Sequence, residues 1–171
     1  MKLQSLLAGV LCVACLPMTA EPIPTRLAGT WKITRILPTK GGTCWDASQA
    51  APLVGSTLTY RDDAMSWRGG DVPLQGVITR SVSAEDFRKE NSTFGDPPDF
   101  AELGIRASRV TEVDLQHEDA DITGATTEVP GDAVLIVAPN RIVVSACGVF
   151  FEATRASSAG SVARTVTVAK R

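Results

Sequence analysis

The feature that most constrains the fold is a series of short runs in which apolar and polar side chains alternate. The clearest run lies within Ile105–His117, where Thr111, Val113 and Leu115 share one face and three polar residues share the other. Successive side chains of a strand point to opposite faces, so this period of two indicates a half-buried strand. Amphipathic helical patterns are nearly absent, and the chain is therefore predicted to be all-β.

Turn residues divide the chain into about eight such strands. Their predicted bounds are Ala28–Leu37, Gly55–Arg61, Ala64–Arg68, Val72–Val82, Ile105–His117, Ala133–Ala138, Arg141–Ala146 and Gly148–Arg155. A short helix, Ala84–Glu90, is expected between the fourth and fifth strands, because Ser83 is a good N-cap and acidic residues follow it. Short connections favour an up-and-down antiparallel barrel, which removes both sheet edges. A β-sandwich is the alternative fold.

The first 20 residues have the pattern of a cleaved secretory signal. Lys2 supplies a positive charge, Leu3–Leu16 is almost entirely apolar, and Ala20 is a small residue at the expected cleavage site. The apolar run is short for a membrane span, which needs about 20 residues. An N-terminal membrane anchor remains one alternative, and a lipid-modified cysteine, Cys12 or Cys15, remains another.

Removal of a signal would leave about 150 residues, a usual size for one domain. We expect a monomeric, periplasmic or secreted barrel domain over 21–155, and a flexible tail over 156–171 that is basic at its end. The net charge of -2 provides no general attraction for nucleic acid.

Two cysteines lie outside the signal, Cys44 and Cys147. In an oxidising compartment, an even pair far apart in sequence predicts a disulfide, which would contribute roughly 3–5 kcal/mol by closing a long loop. Two unpaired buried thiols are the alternative. In a barrel whose first and last strands pair, these cysteines would meet at one rim, because Cys44 follows the first strand and Cys147 precedes the last.

The ends of the predicted barrel carry a second pair of residues. Gly29-Thr30-Trp31 opens the first strand and Arg155 closes the last one. This combination resembles the signature of the calycins, the group that includes the lipocalins. The resemblance implies that Arg155 packs across Trp31 in a cation–π contact at the closed end of a lipocalin-like barrel. The Thr-Asp-Tyr loop that lipocalins usually carry has no counterpart in Ser83–Gly104.

No catalytic, cofactor or metal set is evident, and the chain is predicted not to be an enzyme. The single histidine, His117, is expected to be a solvent-facing residue at the rim, and no Cys-x-x-Cys motif occurs. Asp119–Gly124 resembles the first half of a calcium loop, but Pro130 occupies the position of the final carboxylate. An acidic solvated loop is the simpler interpretation.

The candidate ligand-binding residues are polar or aromatic side chains expected inside the barrel or at its mouth. Arg35 is in phase with Trp31, Tyr60 with Leu58, and Arg80 with Val82. A buried arginine is costly unless it is paired, so Arg35 and Arg80 are candidates for recognising an anion, or for structural ion pairs. Trp45 would be held at the mouth by the adjacent Cys44.

Two functions are consistent with these features. One is an exported barrel that binds a small, partly apolar or anionic ligand inside. The other is a protein-interaction module, such as an inhibitor of an extracytoplasmic enzyme, acting through its rim loops. The interior distinguishes them, because an eight-stranded barrel is just wide enough to be filled by its own side chains.

Overall fold

A computed structural model of the chain describes residues 21–38, 40, 42–92, 96, 98–117 and 130–157. The expected signal and nearly all of the expected tail lie outside these residues. The described strands form one antiparallel sheet rather than the two sheets of a sandwich. The strands are β1 Gly29–Ile36, β2 Thr57–Tyr60, β3 Ala64–Trp67, β4 Gly70–Pro73, β5 Gly76–Ser83, β6 Arg109–Gln116, β7 Ala133–Ala138, β8 Arg141–Ala146 and β9 Val149–Arg155.

Two short helices interrupt the strands. α1 spans Ala47–Ala50 and continues into a 3-10 turn, Ala51–Leu53, between the first two strands, where the sequence analysis predicted no helix. α2 spans Ala84–Glu90, and Ser83 caps it as the sequence predicted. Within the described residues, no helix has the length and apolar character that a membrane crossing requires.

The sheet has the up-and-down, barrel-like arrangement that the sequence predicted, with nine strands in the order β4-β3-β2-β1-β9-β8-β7-β6-β5. The predicted fourth strand is two strands, β4 and β5, and these are the two edges of the sheet. Between them, Leu74 N donates to Asp63 O at 2.9 Å and Gln75 N donates to Gln116 O at 2.7 Å. The chain therefore crosses from one sheet edge to the other at Leu74-Gln75, and this crossing draws the sheet into a curl.

A bulge in β1 changes which side chains face inward. Trp31 lies opposite Arg155 and Ile33 opposite Ala153, but Arg35 then lies opposite Glu152, so Thr34 is an extra residue. The extra residue reverses the alternation that follows it. Arg35 was predicted to point inward with Trp31, and instead its side chain is 58% exposed.

The inner face of the curled sheet is a continuous apolar core to which all nine strands contribute. Its largest fully buried side chains include Trp31, Tyr60 and Phe151, none of which is more than 1% exposed. Ile23 and Leu27, which precede β1, also belong to this core. The alternation in β6 is confirmed, since Val113 and Leu115 face this core.

A second apolar core lies on the outer face of β5–β9, beneath α2. Phe87 of α2 packs against Phe100 and Phe150, with ring centroids 5.4 and 5.9 Å apart. Ile105 belongs to this core as well, and it lies in the segment before β6. The strand that was predicted to begin at Ile105 begins instead at Arg109. The outer face of this half of the sheet is therefore buried, which the alternating pattern alone did not indicate.

Candidate functional site

One rim of the sheet is built around the Cys44–Cys147 disulfide, which confirms the predicted pairing. Its Cα atoms are 5.2 Å apart across a separation of 103 residues, and Cys44 N donates to Cys147 O at 3.0 Å. Cys147 and Gly148 form the two-residue turn between β8 and β9, with φ values of 50° and 77°. A side chain at position 148 would approach Gly42 O to 2.8 Å, so glycine allows the two segments to lie together.

The disulfide holds one end of the rim segment, which we define as Thr43–Gly55. Asp46 caps α1 by accepting from Ser48 N at 2.7 Å and Gln49 N at 3.0 Å. The hydrogen bond from the Ser48 hydroxyl, followed by the two backbone bonds, lowers the pKa of Asp46. Ala50 and Leu53 are buried in the inner core and anchor the segment from below.

Trp45 lies in this segment, half-buried against the inner core. Its carbonyl accepts from the Thr43 hydroxyl at 2.7 Å, which fixes the backbone beside the disulfide. Val54, at the other end of the segment, is 41% exposed. The rim segment thus presents an indole and an aliphatic side chain on a framework fixed by a disulfide, a helix cap and two buried anchors.

Arg35 lies away from the rim, on the outer face of β1 and β9. Its Nη2 is 2.9 Å from Glu152 Oε2, an oxygen that also accepts from Arg141 Nε at 2.8 Å. Arg141 donates its other nitrogens to Leu103 O and Gly104 O, at 2.7 and 3.0 Å. Arg35 is therefore the exposed member of a network that attaches the 99–105 turn to the sheet.

Tyr60 is part of the inner core, in phase with Leu58 as the sequence predicted. It is 1% exposed, and its hydroxyl donates to Gly131 O at 3.3 Å. Burial, and then the negative charge of Asp132, raises the pKa of Tyr60 above its usual value. This hydroxyl joins β2 to the start of β7 in the folded chain.

Arg80 was predicted to face inward, and it lies instead on the outer face of β5. Val82, with which it is in phase, belongs to the outer core beneath α2, so the phase was right and the choice of face was wrong. Arg80 forms a bidentate pair with Glu90 at the end of α2. Its Nη2 also lies 2.6 Å from Glu112 Oε2, and its Nε lies 4.0 Å from Asp114.

Among Arg80 and the three carboxylates around it, Glu112 is the most buried residue, at 7% exposed. Its Oε2 is paired with Arg80 Nη2, the same nitrogen that donates to Glu90. Burial, and then the charge of Asp114, raises the pKa of Glu112, and burial also raises the pKa of Asp114. Three carboxylates therefore share one guanidinium. We call Arg80, Glu90, Glu112 and Asp114 the acidic cluster.

A half-open cavity of about 30 Å³ adjoins the acidic cluster on the outer face of the sheet. Glu112, Asn91 and Ser145 contribute polar groups to its wall, and Phe87, Leu135 and Phe150 contribute apolar ones. Sequence reasoning placed Glu112 on the polar face of its strand but did not foresee the burial of this side chain. That burial depends on α2 folding back over the sheet, which no local pattern reports.

His117 differs from its expected exposure. Its side chain is only 9% exposed, and Nε2 lies 2.9 Å from Asp132 Oδ1. The candidate calcium loop, Asp119–Gly124, lies outside the described residues. Within the described part of the chain, no group of three or more histidine, cysteine, aspartate or glutamate side chains is arranged to hold a metal ion.

The structure does not bring the four candidate ligand-binding residues together. Arg35 and Arg80 lie on the outer face beside carboxylates, Tyr60 is in the inner core, and Trp45 is at the disulfide rim. At the opposite rim, the Arg155 guanidinium lies 4.3 Å from the centre of the Trp31 ring.

Comparisons of the chain with protein-family models, with curated proteins and with solved structures yield no match.

Proposed function

We propose that this protein is an extracytoplasmic interaction module that binds another protein through its rim segment, Thr43–Gly55. The observation that carries the proposal is the contrast between the interior and the rim. The inner face is occupied by large side chains such as Trp31, Tyr60 and Phe151, at most 1% exposed. A side chain without accessible surface lines no cavity that could admit a water molecule, and an apolar ligand needs a far larger space.

The paired state of the arginines supports the same choice. An arginine that recognises an anionic ligand needs free donors aimed at a cavity. Arg35 is paired with Glu152, and Arg80 is surrounded by three carboxylates. Binding of a small ligand inside the barrel stays a prediction, and these contacts give it no support.

The rim segment has the properties of a preorganised contact surface. Rigid aromatic anchors contribute strongly at protein interfaces, because little conformational entropy is lost when they are buried. Trp45 is held beside the disulfide, and the Asp46 cap and buried Leu53 fix the backbone around it. The disulfide also supports folding in an oxidising compartment, as the predicted signal implies.

A lipocalin-like relationship is part of the proposal. The contact between Trp31 and Arg155 supports it, since this is the contact that the calycin resemblance implies. Fold relationship and function are separate questions, because one fold carries many functions.

Site-specific photo-cross-linking in the native host tests the proposal. A photoreactive residue at Ser48, which is exposed on α1, is expected to give a reproducible adduct with one partner protein. The same residue at Asp62, which is exposed in the turn between β2 and β3 at the opposite end of these strands, is the matched control and is expected to give none. Equal adducts at both positions, or none at Ser48, would contradict the proposal.

Trp45→Ala supplies the second arm of this experiment. Loss of the indole is expected to remove the Ser48 adduct while leaving the circular dichroism of the sheet unchanged. Native mass spectrometry of the protein purified from its host is expected to give the mass of the polypeptide alone. A co-purified apolar molecule would favour the internal-ligand hypothesis instead.

A further inference from the structure

The molecule contains two contacts in which an arginine lies over a tryptophan. The guanidinium carbon of Arg155 lies 4.3 Å from the centre of the Trp31 ring, at the rim opposite the disulfide. That of Arg68 lies 4.6 Å from the centre of the Trp67 ring, where β3 ends. Both contacts are attractive, because the face of an indole ring attracts a cation. They differ in how the hydrogen-bond donors of the two side chains are used.

The Trp31 contact uses donors of both side chains. The Arg155 guanidinium donates to three backbone carbonyls, and Trp31 Nε1 donates to Leu27 O at 2.7 Å. In the Trp67 contact, the Arg68 side chain makes no hydrogen bond or ion pair with any described residue. Trp67 Nε1 is buried, again with no acceptor among the residues that the structure describes. A buried donor without an acceptor costs free energy, so this second contact is not arranged for stability alone.

The backbone at Arg68 supports the same conclusion. Arg68 and Gly69 form the two-residue turn between β3 and β4, and their φ values are 49° and 83°. Positive φ at both positions is typical of a type I′ turn, in which asparagine, aspartate and glycine are the favoured residues. An arginine in this conformation is strained, and backbone strain is concentrated at functional positions. Closing the turn therefore does not explain why position 68 carries an arginine.

The Arg68-Gly69 turn lies at the same end of the strands as the rim segment. β2 begins at Thr57, two residues after the rim segment ends, and Leu58 lies opposite Trp67. Because β2 and β3 are antiparallel, the turn that follows Trp67 lies beside the start of β2. The exposed side chain of Arg68 therefore adds hydrogen-bond donors to the surface that the rim segment forms.

Charge defines what kind of group fits these donors. Within the rim segment, Asp46 is the single charged residue, and its carboxylate caps α1. Asp71, the carboxylate nearest to Arg68 along the chain, is paired with Arg61 at 2.9 Å. A guanidinium presents five N–H donors and no acceptor, in a planar fork that matches the two oxygens of a carboxylate. An acidic side chain therefore complements this part of the surface.

We propose that Arg68 anchors the rim interface by binding a carboxylate of an acidic side chain on the partner protein. The inference rests on the proposed function of the rim segment and adds the chemistry of the partner. The contact with Trp67 holds the guanidinium in place before binding, which reduces the conformational entropy lost when the complex forms. Because Trp67 Nε1 is buried, the carboxylate of the partner meets the guanidinium and not the indole.

The test starts from the protein that cross-links to Ser48 in the native host, and calorimetry with the two purified, disulfide-intact proteins measures their affinity. Arg68→Asn removes the guanidinium and places in the turn a residue that tolerates positive φ, so the fold is expected to persist. We expect this variant to bind roughly tenfold more weakly, because a charge-assisted pair is lost. Arg106→Asn removes another exposed arginine, before β6, and as the matched control it is expected to leave the affinity unchanged.

A second variant at the same position separates recognition of a carboxylate from a structural role. Arg68→Asp and Arg68→Asn both lose the contact with Trp67, and both residues suit the turn. Only aspartate repels a carboxylate, so Arg68→Asp is expected to bind several-fold more weakly than Arg68→Asn. Raising the salt concentration from about 0.05 M to about 0.3 M should weaken binding of the original chain more than binding of Arg68→Asn.

The outcomes distinguish this inference from the proposed function. An adduct at Ser48 with unchanged affinity in Arg68→Asn would overturn the inference and leave the proposed function intact. Equal losses in Arg68→Asn and Arg106→Asn, or equal affinities of Arg68→Asn and Arg68→Asp, would also overturn it. Absence of any adduct at Ser48 would contradict both. If the variants at position 68 fail to fold, the original chain decides, because an affinity that does not change with salt would overturn the inference.

Discussion

At the scale of single residues, Arg155 joins parts of the chain that are far apart in sequence. Its guanidinium lies over Trp31 and donates to Ala28 O at 2.8 Å and Arg26 O at 2.6 Å. Its Nε also donates to Pro139 O at 3.3 Å, in the turn between β7 and β8. One side chain thus connects the segment before β1, the end of β9 and a neighbouring turn.

Arg155→Ala is expected to lower the free energy of unfolding by about 2–4 kcal/mol, because it removes charged hydrogen bonds and the cation–π contact together. Urea unfolding measures this change. Arg155→Lys keeps the charge but loses the planar donor set, so an intermediate loss is expected. A loss as large as that of the alanine variant would show that charge over Trp31 contributes little.

Glu112 makes a pH-dependent contribution to folding stability, and its sign is opposite to that of most paired carboxylates. Burial raises the pKa of Glu112 in the folded state, so its ionisation opposes folding at neutral pH. The folded chain holds this proton more tightly than the unfolded chain, and stability from this group increases as pH falls through the folded-state pKa. Glu112→Gln is therefore expected to raise the Tm near pH 7 and to give little change near pH 4.

Glu152 provides the contrasting variant. Hydrogen bonding from Arg35 is the largest cause that lowers the pKa of Glu152, so its stabilising contribution is present above the unfolded-state pKa. That contribution is lost as pH falls through the folded-state pKa. Glu152→Gln should lower the Tm near neutral pH, and thermal melts over a pH series compare the two variants. Shifts of the same sign in both would contradict the assignment.

At the scale of elements, the rim segment is the part of the fold that depends most directly on a covalent bond. The two cysteines of the Cys44–Cys147 disulfide are 103 residues apart in sequence. By the chain-entropy model, reduction of this bond should remove up to about 4–5 kcal/mol of stability. Near-ultraviolet circular dichroism should change first, because Trp45 lies next to the released bond. The far-ultraviolet spectrum of the sheet should persist. Unchanged near-ultraviolet dichroism and Tm would contradict this role.

The strands could be predicted from sequence because alternation is a local property. β7 and β8 have the predicted bounds, and β6 differs mainly at its start. After a β-bulge, the face to which a side chain points could not be predicted. The bulge at Thr34 turns Arg35 outward, and the alternation of residues in β1 gives no sign of that bulge. Arg80 shows a different limit of the alternating pattern. The pattern shows which side chains share a face, but it does not show which face is the inner one when both faces of the sheet are covered.

The same distinction applies to the candidate site, of which one part could be predicted from the sequence and another could not. Cys44, Cys147 and Trp45 were available from the sequence, since compartment and strand order suffice to place them together. The acidic cavity was not, because Asn91, Glu112 and Ser145 come from three elements and meet only after α2 packs on the sheet. α1 was missed although Asp46 and Gln49 form its capping box, because its four residues are too few to show a helical period.

At the scale of the whole molecule, the crossing at Leu74-Gln75 links the two edges of the sheet. Gln75→Pro removes the N–H that donates to Gln116 O at 2.7 Å and is expected to cost about 1–3 kcal/mol. Gln75→Ala keeps that N–H and removes only the side chain, so it is expected to lower stability less than Gln75→Pro. Chemical denaturation followed by both far-ultraviolet dichroism and tryptophan fluorescence measures the effect. Equal stability of the two variants would show that this bond does not support the crossing.

The place of β9 in the sheet has a consequence for synthesis. β9 is the last described strand along the chain, yet it lies between β1 and β8, in the middle of the order. A growing chain that has not reached Val149 holds two groups of four strands, β1–β4 and β5–β8, which meet at the Leu74-Gln75 crossing but lack the strand that pairs with both β1 and β8. Prematurely ended products would leave Trp31 and its apolar neighbours uncovered, and proteases could distinguish them from finished molecules.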